Sequence, residues 1–442
     1  MNQLSSPGTR HWRRSATVMG RLLPAVTIAV AVAGTAAASG AAHARNSTPG
    51  SAAAAAAPGS ARSLAAARTA SSTCIAGSGL QPPNPGSSAS LKGVAVVSSS
   101  RAFAVGSYIS GGEKTLAEHW NGSSWTVVPS PSPGIVFNDP HSVLNGVAAT
   151  SSHNAWAAGS YTDQTGQFQA LILHWNGTTW KQQASAPIPF AESTQLFGVT
   201  VASTSNAWAV GSTIHNRIGV RAVIEHWNGT TWKLMRTPKL AGAGAELLGV
   251  TAVSSRNVWA VGHYWHSGGI SHTLIEHWNG TAWRHVTSPN PGGPAHDNLL
   301  RGVTALSGRN AWAVGDYDAG EKAGATVSKT IILRWNGIAW KRITSPNPGW
   351  GSVTIPADIL TGATAISPSN VWAVGSRNDK NALEQTLVEH WNGSAWKSVR
   401  SPSPQRSSFL FGVDSTTASN IWAVGNTSAI DGPSLPLAVH CG

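Results

Sequence analysis

A segment of roughly 50 residues recurs seven times along this chain of 442 residues. Most copies contain Gly-Val, then Trp-Ala-Val-Gly, then His-Trp-Asn-Gly and a second Trp. The glycines of the Gly-Val pairs, or their equivalents, are Gly93, Gly146, Gly198, Gly249, Gly302, Gly362 and Gly412. Repeats of this length build arrays in which each unit buries one face against its neighbour. The repeat therefore restricts the chain to one large array of equivalent units.

One copy of the repeat, residues 247–289, predicts four antiparallel strands. Strand a is "LLGVTAVS", whose apolar residues alternate, and strand b is "VWAVGHY". Asn279-Gly280 is a strong hairpin signal between strand c, "TLIEHW", and strand d, "AWRHVTS". The following "PNPG" ends the sheet, because proline cannot serve a central ladder. Seven such units predict an all-β fold, a seven-bladed β-propeller of four-stranded antiparallel blades.

Tryptophan is unusually frequent, and the repeat explains why. The chain has 21 tryptophans, and 18 of them occupy one position each on strands b, c and d. These are Trp156, Trp208, Trp259, Trp312, Trp372 and Trp422 on strand b, Trp120, Trp175, Trp227, Trp278, Trp335 and Trp391 on strand c, and Trp125, Trp180, Trp232, Trp283, Trp340 and Trp396 on strand d. A catalytic group is needed once, whereas packing between equivalent blades needs the same residue in each. We therefore predict that these tryptophans are scaffold.

A histidine precedes the strand-c tryptophan in most units and is also predicted to be structural. The set is His119, His174, His226, His277, His390 and His440, with Arg334 in the fifth unit. Metal ligands must converge, whereas equivalent positions on a ring point apart. A repeated hydrogen bond or a solvated position is the better interpretation. The asparagines of the Asn-Gly pairs are likewise predicted to be turn residues: Asn121, Asn176, Asn228, Asn279, Asn336 and Asn392.

The two cysteines fall where the seventh unit lacks its strand-c and strand-d tryptophans. In four units, 16 residues separate the glycine of Trp-Ala-Val-Gly from the strand-c Trp, and the same distance from Gly425 leads to Cys441. Cys74 lies 19 residues before Gly93, within the 16 to 22 residues that separate a strand-d Trp from the next glycine. The N-terminal strand is therefore predicted to complete the last blade, with Cys74 and Cys441 joined in a disulfide.

The N-terminus has the composition of an export signal. Residues 1–44 combine four arginines, the apolar run "LLPAVTIAVAVAGTAAASG" and the cleavage-like Ala42-His43-Ala44. Arg13-Arg14 leaves twin-arginine export open beside general secretion, and a retained membrane anchor is the other alternative. Residues 45–72 are rich in Ala, Ser, Pro and Gly and predict a flexible linker. We expect the propeller at 73–442, in a secreted, extracellular protein with no membrane span in the mature chain.

The repeat resembles a known class of protein. "NAWAVG…TLIEHWNGTAW…SPNPG" is similar to the secreted Trp-rich β-propeller repeats common in actinobacteria and soil bacteria, and distantly to kelch and sialidase-type (Asp-box) propellers. The resemblance covers about residues 73–442. Gly280 and Trp283 keep the Gly-to-Trp spacing of an Asp-box, but Trp278 stands where the Asp should be. The resemblance implies the fold and leaves function open, since such propellers range from lectins to hydrolases.

An enzyme is one alternative, and the sequence offers little for it. A sialidase-like site needs an arginine cluster and a nucleophilic tyrosine beside an acid, and no such set can be picked out among four tyrosines. No serine-hydrolase, zinc-protease, P-loop or Cys-x-x-Cys motif is present. Four of nine glutamates share one strand-c position: Glu118, Glu225, Glu276 and Glu389. We predict no catalytic residue, metal site or cofactor.

A binding module fits the sequence better. The short a–b and c–d turns fall on one face of the predicted disc, and the longer b–c and d–a connections fall on the other, here called the variable face. Loop diversity on a constant frame is typical of binding sites. Outside the leader and the repeated positions, the tryptophans are Trp265 and Trp350, both predicted on this face, where an indole can stack on a sugar.

The predicted ligand is an extracellular saccharide or cell-wall polymer. Its further contacts are His263, Tyr264, His266, Asp316 and Asp318, of which the two aspartates could also be a solvated loop or a weak calcium site. Seven of the twelve net positive charges lie in the leader and linker, which leaves about +5 on the propeller and no reason to invoke nucleic acid. We expect a monomer. A purely structural envelope protein is a third hypothesis.

Overall fold

The protein is a seven-bladed β-propeller of four-stranded antiparallel sheets, as predicted. The computed structural model describes residues 73–442 apart from 78, 136–139, 217, 241, 323–324, 350–356 and 430–431. The predicted leader (1–44) and linker (45–72) lie outside the described residues. Within the described ranges, no helix has the length and hydropathy to cross a membrane.

Each blade runs outward from the axis through strands a, b, c and d. The a strands are β2 (Ser88–Ser98), β6 (Ser142–Ser151), β10 (Ser193–Ser203), β14 (Gly244–Ser254), β18 (Asn298–Ser307), β22 (Asp358–Ser367) and β26 (Ser407–Thr417). The b strands are β3 (Arg101–Ile109), β7 (Asn154–Thr162), β11 (Asn206–His215), β15 (Asn257–Trp265), β19 (Asn310–Lys322), β23 (Asn370–Asn378) and β27 (Asn420–Ser428). Blades are numbered 1 to 7 in the order of these strands.

The outer half of each blade consists of strands c and d. The c strands are β4 (Glu113–Trp120), β8 (Phe168–Trp175), β12 (Gly219–Trp227), β16 (Ser271–Trp278), β20 (Ala325–Trp335), β24 (Glu384–Trp391) and β28 (Ser434–Cys441). The d strands are β5 (Trp125–Val127), β9 (Trp180–Gln183), β13 (Trp232–Leu234), β17 (Trp283–His285), β21 (Trp340–Arg342), β25 (Trp396–Val399) and, in blade 7, β1 (Cys74–Ile75).

The ring closes through both ends of the chain. Blade 7 has the order β1-β28-β27-β26, and β1 pairs with β28 so that Cys74 lies opposite Cys441. The two cysteines form a disulfide across 367 residues. Both sequence predictions, the N-terminal strand in the last blade and the disulfide, are confirmed.

The repeated glycines bring the inner strands into contact. Each a strand has a β-bulge just before this glycine, for example between Leu91 and Gly93. A Cβ added at Gly93 would lie 3.1 Å from the Cα of Gly146 in the next blade. Real Cβ atoms rarely approach a neighbour so closely, and the same crowding recurs around the ring. Glycine is therefore required wherever neighbouring backbones meet at the axis.

The tryptophans form one cluster at most blade interfaces. The strand-b Trp of one blade packs between the strand-c and strand-d Trp of the next, as Trp208 does with Trp278 and Trp283, at ring-centroid distances of 5.2 and 5.4 Å. The strand-b tryptophans are no more than 2% exposed. In blade 7 the disulfide occupies the place of the tryptophan pair, and Trp372 of blade 6 packs in one cluster with Cys74 and Cys441. The scaffold prediction is confirmed.

The last interface carries a buried carboxyl group. Asp414 of β26 is 2% exposed, and its Oδ2 accepts a hydrogen bond from the Val96 backbone N–H of blade 1 at 2.7 Å. Blade 3 uses a threonine at the equivalent position, where Thr200 Oγ1 accepts from the Ala252 N–H at 3.2 Å. Burial raises the pKa of Asp414 to about 7. At the interface between the last and the first blade, an aspartate thus replaces the threonine as the hydrogen-bond acceptor.

Hydrogen bonds beside the short a–b and c–d turns explain the repeated histidines. In five blades the strand-c histidine Nε2 lies 2.8 to 3.4 Å from the Oδ1 of the asparagine that begins strand b: His174 with Asn154, His226 with Asn206, His277 with Asn257, His390 with Asn370 and His440 with Asn420. Blade 1 has Arg101 instead of that asparagine, and His119 packs edge-on against Phe103 and Trp175. The structural prediction for these histidines is confirmed.

The repeated Asn-Gly pairs are turns, also as predicted. Asn279 Oδ1 accepts hydrogen bonds from the backbone N–H groups of Thr281 and Ala282, both at 3.0 Å. The next residue, Gly280, has a φ of +95°, a conformation that suits glycine. The side-chain oxygen therefore closes the hairpin.

A set of side chains holds the d–a connection of four blades to strand c. In blade 4, Thr273 Oγ1 lies 2.8 Å from Ser288 Oγ, and the Thr273 backbone N–H donates to Asn290 Oδ1 at 2.8 Å. We call this set, the threonine with the residues 15 and 17 positions later, the connector clasp. Blades 1, 5 and 6 have the same clasp: Thr115 with Ser130 and Ser132, Thr330 with Ser345 and Asn347, and Thr386 with Ser401 and Ser403.

Candidate functional site

The candidate site residues lie at the variable-face end of blades 4 and 5. Trp265 was predicted in the b–c loop, but it is the last residue of β15 and pairs with Gly244 and Ser271. Asp316 and Asp318 likewise belong to β19, not to a loop. These strands extend further than predicted because their ladders continue beyond the repeated motif. Trp350 lies outside the described residues.

Strand alternation divides the predicted residues among three blade interfaces. His263 and Trp265 lie on the same face of β15 as Trp259 and Val261, which pack against blade 5. Tyr264 packs in the cluster between blades 3 and 4. Asp316 and Asp318 lie on the same face of β19 as Trp312 and Val314, which pack against blade 6. The predicted residues therefore share one region of the molecule without forming a single pocket.

The interface between blades 4 and 5 contains a histidine close to two ionisable groups, Glu246 and Arg301. His263 Nε2 lies 3.9 Å from Glu246 Oε2, and the other carboxylate oxygen of Glu246 accepts from Ser212 Oγ at 3.2 Å. Arg301 Nε donates to Asp316 Oδ1 at 2.5 Å. His263 Nδ1 is buried and has no hydrogen-bond partner among the described residues. Blades 3, 4 and 5 thus meet here through polar side chains.

Burial shifts the pKa values of His263 and Glu246. It lowers the pKa of His263 to about 4, and the positive charge of Arg301 acts in the same direction. Burial also raises the pKa of Glu246, against a smaller opposite effect of the Ser212 hydrogen bond. A neutral imidazole at 3.9 Å forms no ion pair with Glu246. His263 is therefore a neutral hydrogen-bonding group at pH 7, which suits binding of a neutral ligand more than acid-base catalysis.

Trp265 is partly covered by its own blade. Its indole lies over Gly244, so that a Cβ at that glycine would collide with the indole ring. Its ring centroid is 5.5 Å from that of His263, with an interplanar angle of 30°. Gly244 therefore provides the space that the indole fills, and a partly exposed ring face remains at the end of β15.

Four rings cluster on the opposite face of the same blade. Tyr264 lies 5.6 Å from His266, 5.5 Å from His272 and 6.1 Å from His285, measured between ring centroids. His266 and His272 are 5.6 Å apart. His266 and His285 are exposed, and Tyr264 and His272 are partly buried. Partial burial lowers the pKa of His285. The result is a surface of one phenol ring and three imidazole rings beside the b–c loop.

The acidic pair lies inside a hydrogen-bond network. Asp316 is 5% exposed and accepts a hydrogen bond from Arg301, and the backbone N–H of Asp318 donates to the Asp297 carbonyl oxygen at 2.9 Å. Burial raises the pKa of Asp318, and Asp297 and Asp316 add repulsion. Among the described residues, no three His, Cys, Asp or Glu side chains are grouped so as to hold a metal ion. Asp316 therefore has a structural partner, and the pair is not a solvated loop.

The sequence analysis missed the residues that surround the propeller axis. The bulge residue before each inner glycine contacts the neighbouring blade: Lys92 Nζ lies 4.0 Å above the Phe411 ring, and Phe197 packs with Leu248. The seven residues are Lys92, Asn145, Phe197, Leu248, Arg301, Thr361 and Phe411. Burial lowers the pKa of Lys92 to about 8. Six different residue types occupy this one position in the seven units. This variation is visible in the sequence and could have indicated that each residue has its own role.

Comparison with known proteins finds only distant structural similarity. No protein-family model matches it, and no curated protein matches it. It is similar to YCF48 from Cyanidioschyzon merolae, with 13% identity and a TM-score of 0.46 over 83% of this chain and 99% of that one. It is also similar to a fucose-specific lectin from Aleuria aurantia, with 12% identity and a TM-score of 0.40 over 76% and 98%. A Trypanosoma rangeli sialidase shares 9% identity, with a TM-score of 0.44 over 72% and 56%. Likenesses this distant carry no conclusion about ligand or activity.

Proposed function

We propose that this protein is a secreted, non-enzymatic propeller that binds a neutral extracellular saccharide or cell-wall polymer through its variable face. Residues 1–44 would direct export, and residues 45–72 would link the leader to the propeller. The disulfide between Cys74 and Cys441 supports an oxidising compartment. The proposed surface includes Trp265 and Asp318 beside the ring cluster of blade 4, with the largely buried His263 and Asp316 beneath it. Trp350 stays a contact predicted from the sequence.

The ring cluster of Tyr264, His266, His272 and His285 is the observation that carries the proposal. Exposed aromatic rings beside hydrogen-bonding groups suit the apolar and hydroxyl faces of a sugar. The position of Tyr264 on strand b is also tyrosine in blades 1, 2 and 5, so this ring belongs to the packing between blades. No other blade has a histidine at the positions of His272 and His285, so blade packing does not require those imidazoles. Tyr264 is anchored in the interface with blade 3 and can hold the imidazoles in place.

Removing two imidazoles tests the proposal. We expect His266→Ala/His272→Ala to weaken binding of the mature protein to a neutral polysaccharide such as xylan about tenfold. Loss of stacking on the order of 1 kcal/mol corresponds to such a change. The measurement is calorimetric titration with xylan, cello-oligosaccharides and N-acetylglucosamine oligomers, each with wild type and variant.

His153→Ala is the control, because His153 is an exposed histidine in the a–b turn of blade 2, on the face opposite to the ring cluster. It should bind as wild type does. The proposal is overturned if wild type binds none of these saccharides, or if the double variant binds the same saccharide with unchanged affinity.

A further inference from the structure

Blade 2 lacks two of the three residues of the connector clasp. Ala170 replaces the clasp threonine, and Pro187 replaces the serine or asparagine 17 positions later. Ser185 is retained, but its hydroxyl donates to Glu225 Oε1 of blade 3 at 2.6 Å, and the Ala186 N–H donates to Glu225 Oε2 at 2.8 Å. The connection 184–191 is therefore held by the next blade instead of by its own strand c.

A groove of about 300 Å³ lies between blade 2 and this connection. Its polar lining consists of three amides, from Gln169, Gln182 and Gln183, and of hydroxyl-bearing residues that include Tyr161. The apolar lining includes Ala170 and Ile188. The volume lies at the lower end of the range of small-molecule sites and suits one sugar ring.

The chemistry of the lining selects against charged ligands. No residue that lines the groove is charged. A charged ligand group would lose hydration here without gaining a counter-charge. Gln169 is held in place because its Nε2 donates to Asp163 Oδ2 at 2.8 Å, which leaves its amide oxygen as an acceptor. Amides, hydroxyls and one tyrosine ring match a ligand that carries several neutral hydroxyls beside an apolar face.

The backbone adds a donor to the groove. In the four clasped blades the N–H of the clasp threonine donates outward to the connector side chain. The equivalent N–H in blade 2 belongs to Ala170, and Pro187 offers no side-chain acceptor. Because the positions are equivalent, the Ala170 N–H faces the groove, where a sugar hydroxyl can accept a hydrogen bond from it.

An exposed phenylalanine stands beside the groove. Phe190 is 93% exposed and has a φ of +61°, a conformation that costs a non-glycine residue on the order of 1 kcal/mol. Its carbonyl lies 3.0 Å from His215 Nδ1, which helps to fix this conformation. The next residue, Ala191, lines the groove. The connection thus presents an aromatic ring to solvent next to the polar cavity.

We infer that the groove of blade 2 is a second saccharide site, which takes one neutral hexose unit and stacks an adjoining unit on Phe190. Its ligand class rests on the proposed function, but its residues are separate from the ring cluster of blade 4. Two sites on one rigid ring would raise the affinity for a polymer beyond that of either site.

Restoring the clasp threonine tests the inference. Ala170→Thr places in the groove a residue that four blades accommodate, and we expect at least tenfold weaker binding of cello-oligosaccharides or xylo-oligosaccharides by calorimetric titration. Ala222→Thr at the equivalent position of blade 3 is the matched control and should bind as wild type does. Gln183→Ala removes one lining amide without filling the groove, so it also tests the site should Ala170→Thr fold poorly.

The outcomes separate this inference from the proposed function. Weaker binding by Ala170→Thr or Gln183→Ala, with Ala222→Thr unchanged, supports the groove whatever His266→Ala/His272→Ala does. Unchanged binding by both groove variants overturns the groove, and loss in the double histidine variant then leaves the proposed function standing. Wild type that binds no saccharide overturns both, and a groove that binds neutral peptides instead of sugars overturns the ligand class.

Discussion

One strand-c position shows how the same side chain can be stabilised or left without partners in this fold. Glu118, Glu225, Glu276 and Glu389 occupy it, and all four are 0% exposed. Glu225 accepts hydrogen bonds from Ser185 and Ala186. Both carboxyl oxygens of the other three have no hydrogen-bond partner among the described residues. Burial alone raises the pKa of Glu118 and of Glu276 to about 8, so both are protonated at pH 7.

Replacing Glu276 should change how stability depends on pH. The folded protein holds a proton on Glu276 up to about pH 8, whereas the unfolded chain releases it near pH 4.5. The contribution to stability is full below pH 4.5 and is lost as the pH rises through about 8. We expect Glu276→Leu to flatten this decline and to be more stable than wild type at pH 9. Denaturant unfolding between pH 5 and 9 measures it.

The repeat supplies the control for that experiment. Blades 2 and 5 have Leu173 and Leu333 at this position, so leucine fits between the same strands. Glu225→Leu removes the acceptor of two hydrogen bonds and should destabilise the protein at every pH. A Glu276→Leu protein that keeps the wild-type slope of stability against pH would contradict the assignment of a raised pKa.

Among the connections between strands, the connector clasp is present in blades 1, 4, 5 and 6, whereas blades 2 and 3 have alanine in place of its threonine. It joins a strand-c threonine to the d–a connection, where strand d is only three or four residues long in the clasped blades. The clasp also satisfies the outward backbone N–H of that threonine. The Ser-Pro segments between blades are therefore part of the ordered blade, and are not spacers.

Thr273→Val should weaken this element without changing its shape. The substitution removes the hydroxyl that contacts Ser288 Oγ and Asn290 Oδ1, while the residue is 2% exposed. We expect the free energy of unfolding to fall by about 1 to 2 kcal/mol and amide exchange to speed up in residues 287–297. Thr281→Val, in an exposed turn, is the control and should change stability by less than about 0.5 kcal/mol.

Comparison of individual positions shows what the sequence could predict. Glycine and tryptophan recur because every interface imposes the same packing, so the blade order and the closing strand followed from spacing alone. The placement of Trp265 did not follow, since the end of a ladder depends on the path of the loop beyond it. Alternation along β15 could have separated His263 from Tyr264. The groove of blade 2 depends on the path of residues 184–191, although Ala170 already marked the missing clasp.

For the whole molecule, the disulfide replaces the packing that tryptophans supply elsewhere. Six interfaces pack a strand-b ring against two tryptophans, and the interface between blades 6 and 7 packs Trp372 against the Cys74–Cys441 bond. A bond across 367 residues also restricts the unfolded chain. Closure of the ring therefore combines one short strand pairing, between β1 and β28, with one covalent bond.

Reduction of the disulfide should lower stability substantially. We expect the free energy of unfolding to drop by about 3 to 5 kcal/mol on reduction, because the unfolded chain regains the entropy of a very long loop. Unfolding with and without a reductant measures the change. The Cys74→Ala/Cys441→Ala protein should resemble reduced wild type and show no response to reductant. An identical midpoint for oxidised and reduced wild type would contradict the prediction.

The covalent closure also alters what a protease can do to the molecule. In an open chain, one cleavage in a loop yields two fragments that can separate. Here a single cleavage anywhere between Cys74 and Cys441 leaves the two pieces joined, since the chain from one cysteine to the other is a closed loop. The cut blade can stay assembled between its neighbours, held by its tryptophan clusters. Two cleavages are needed before any blade can leave the ring, so the long connections of the variable face can be exposed with little risk to the fold.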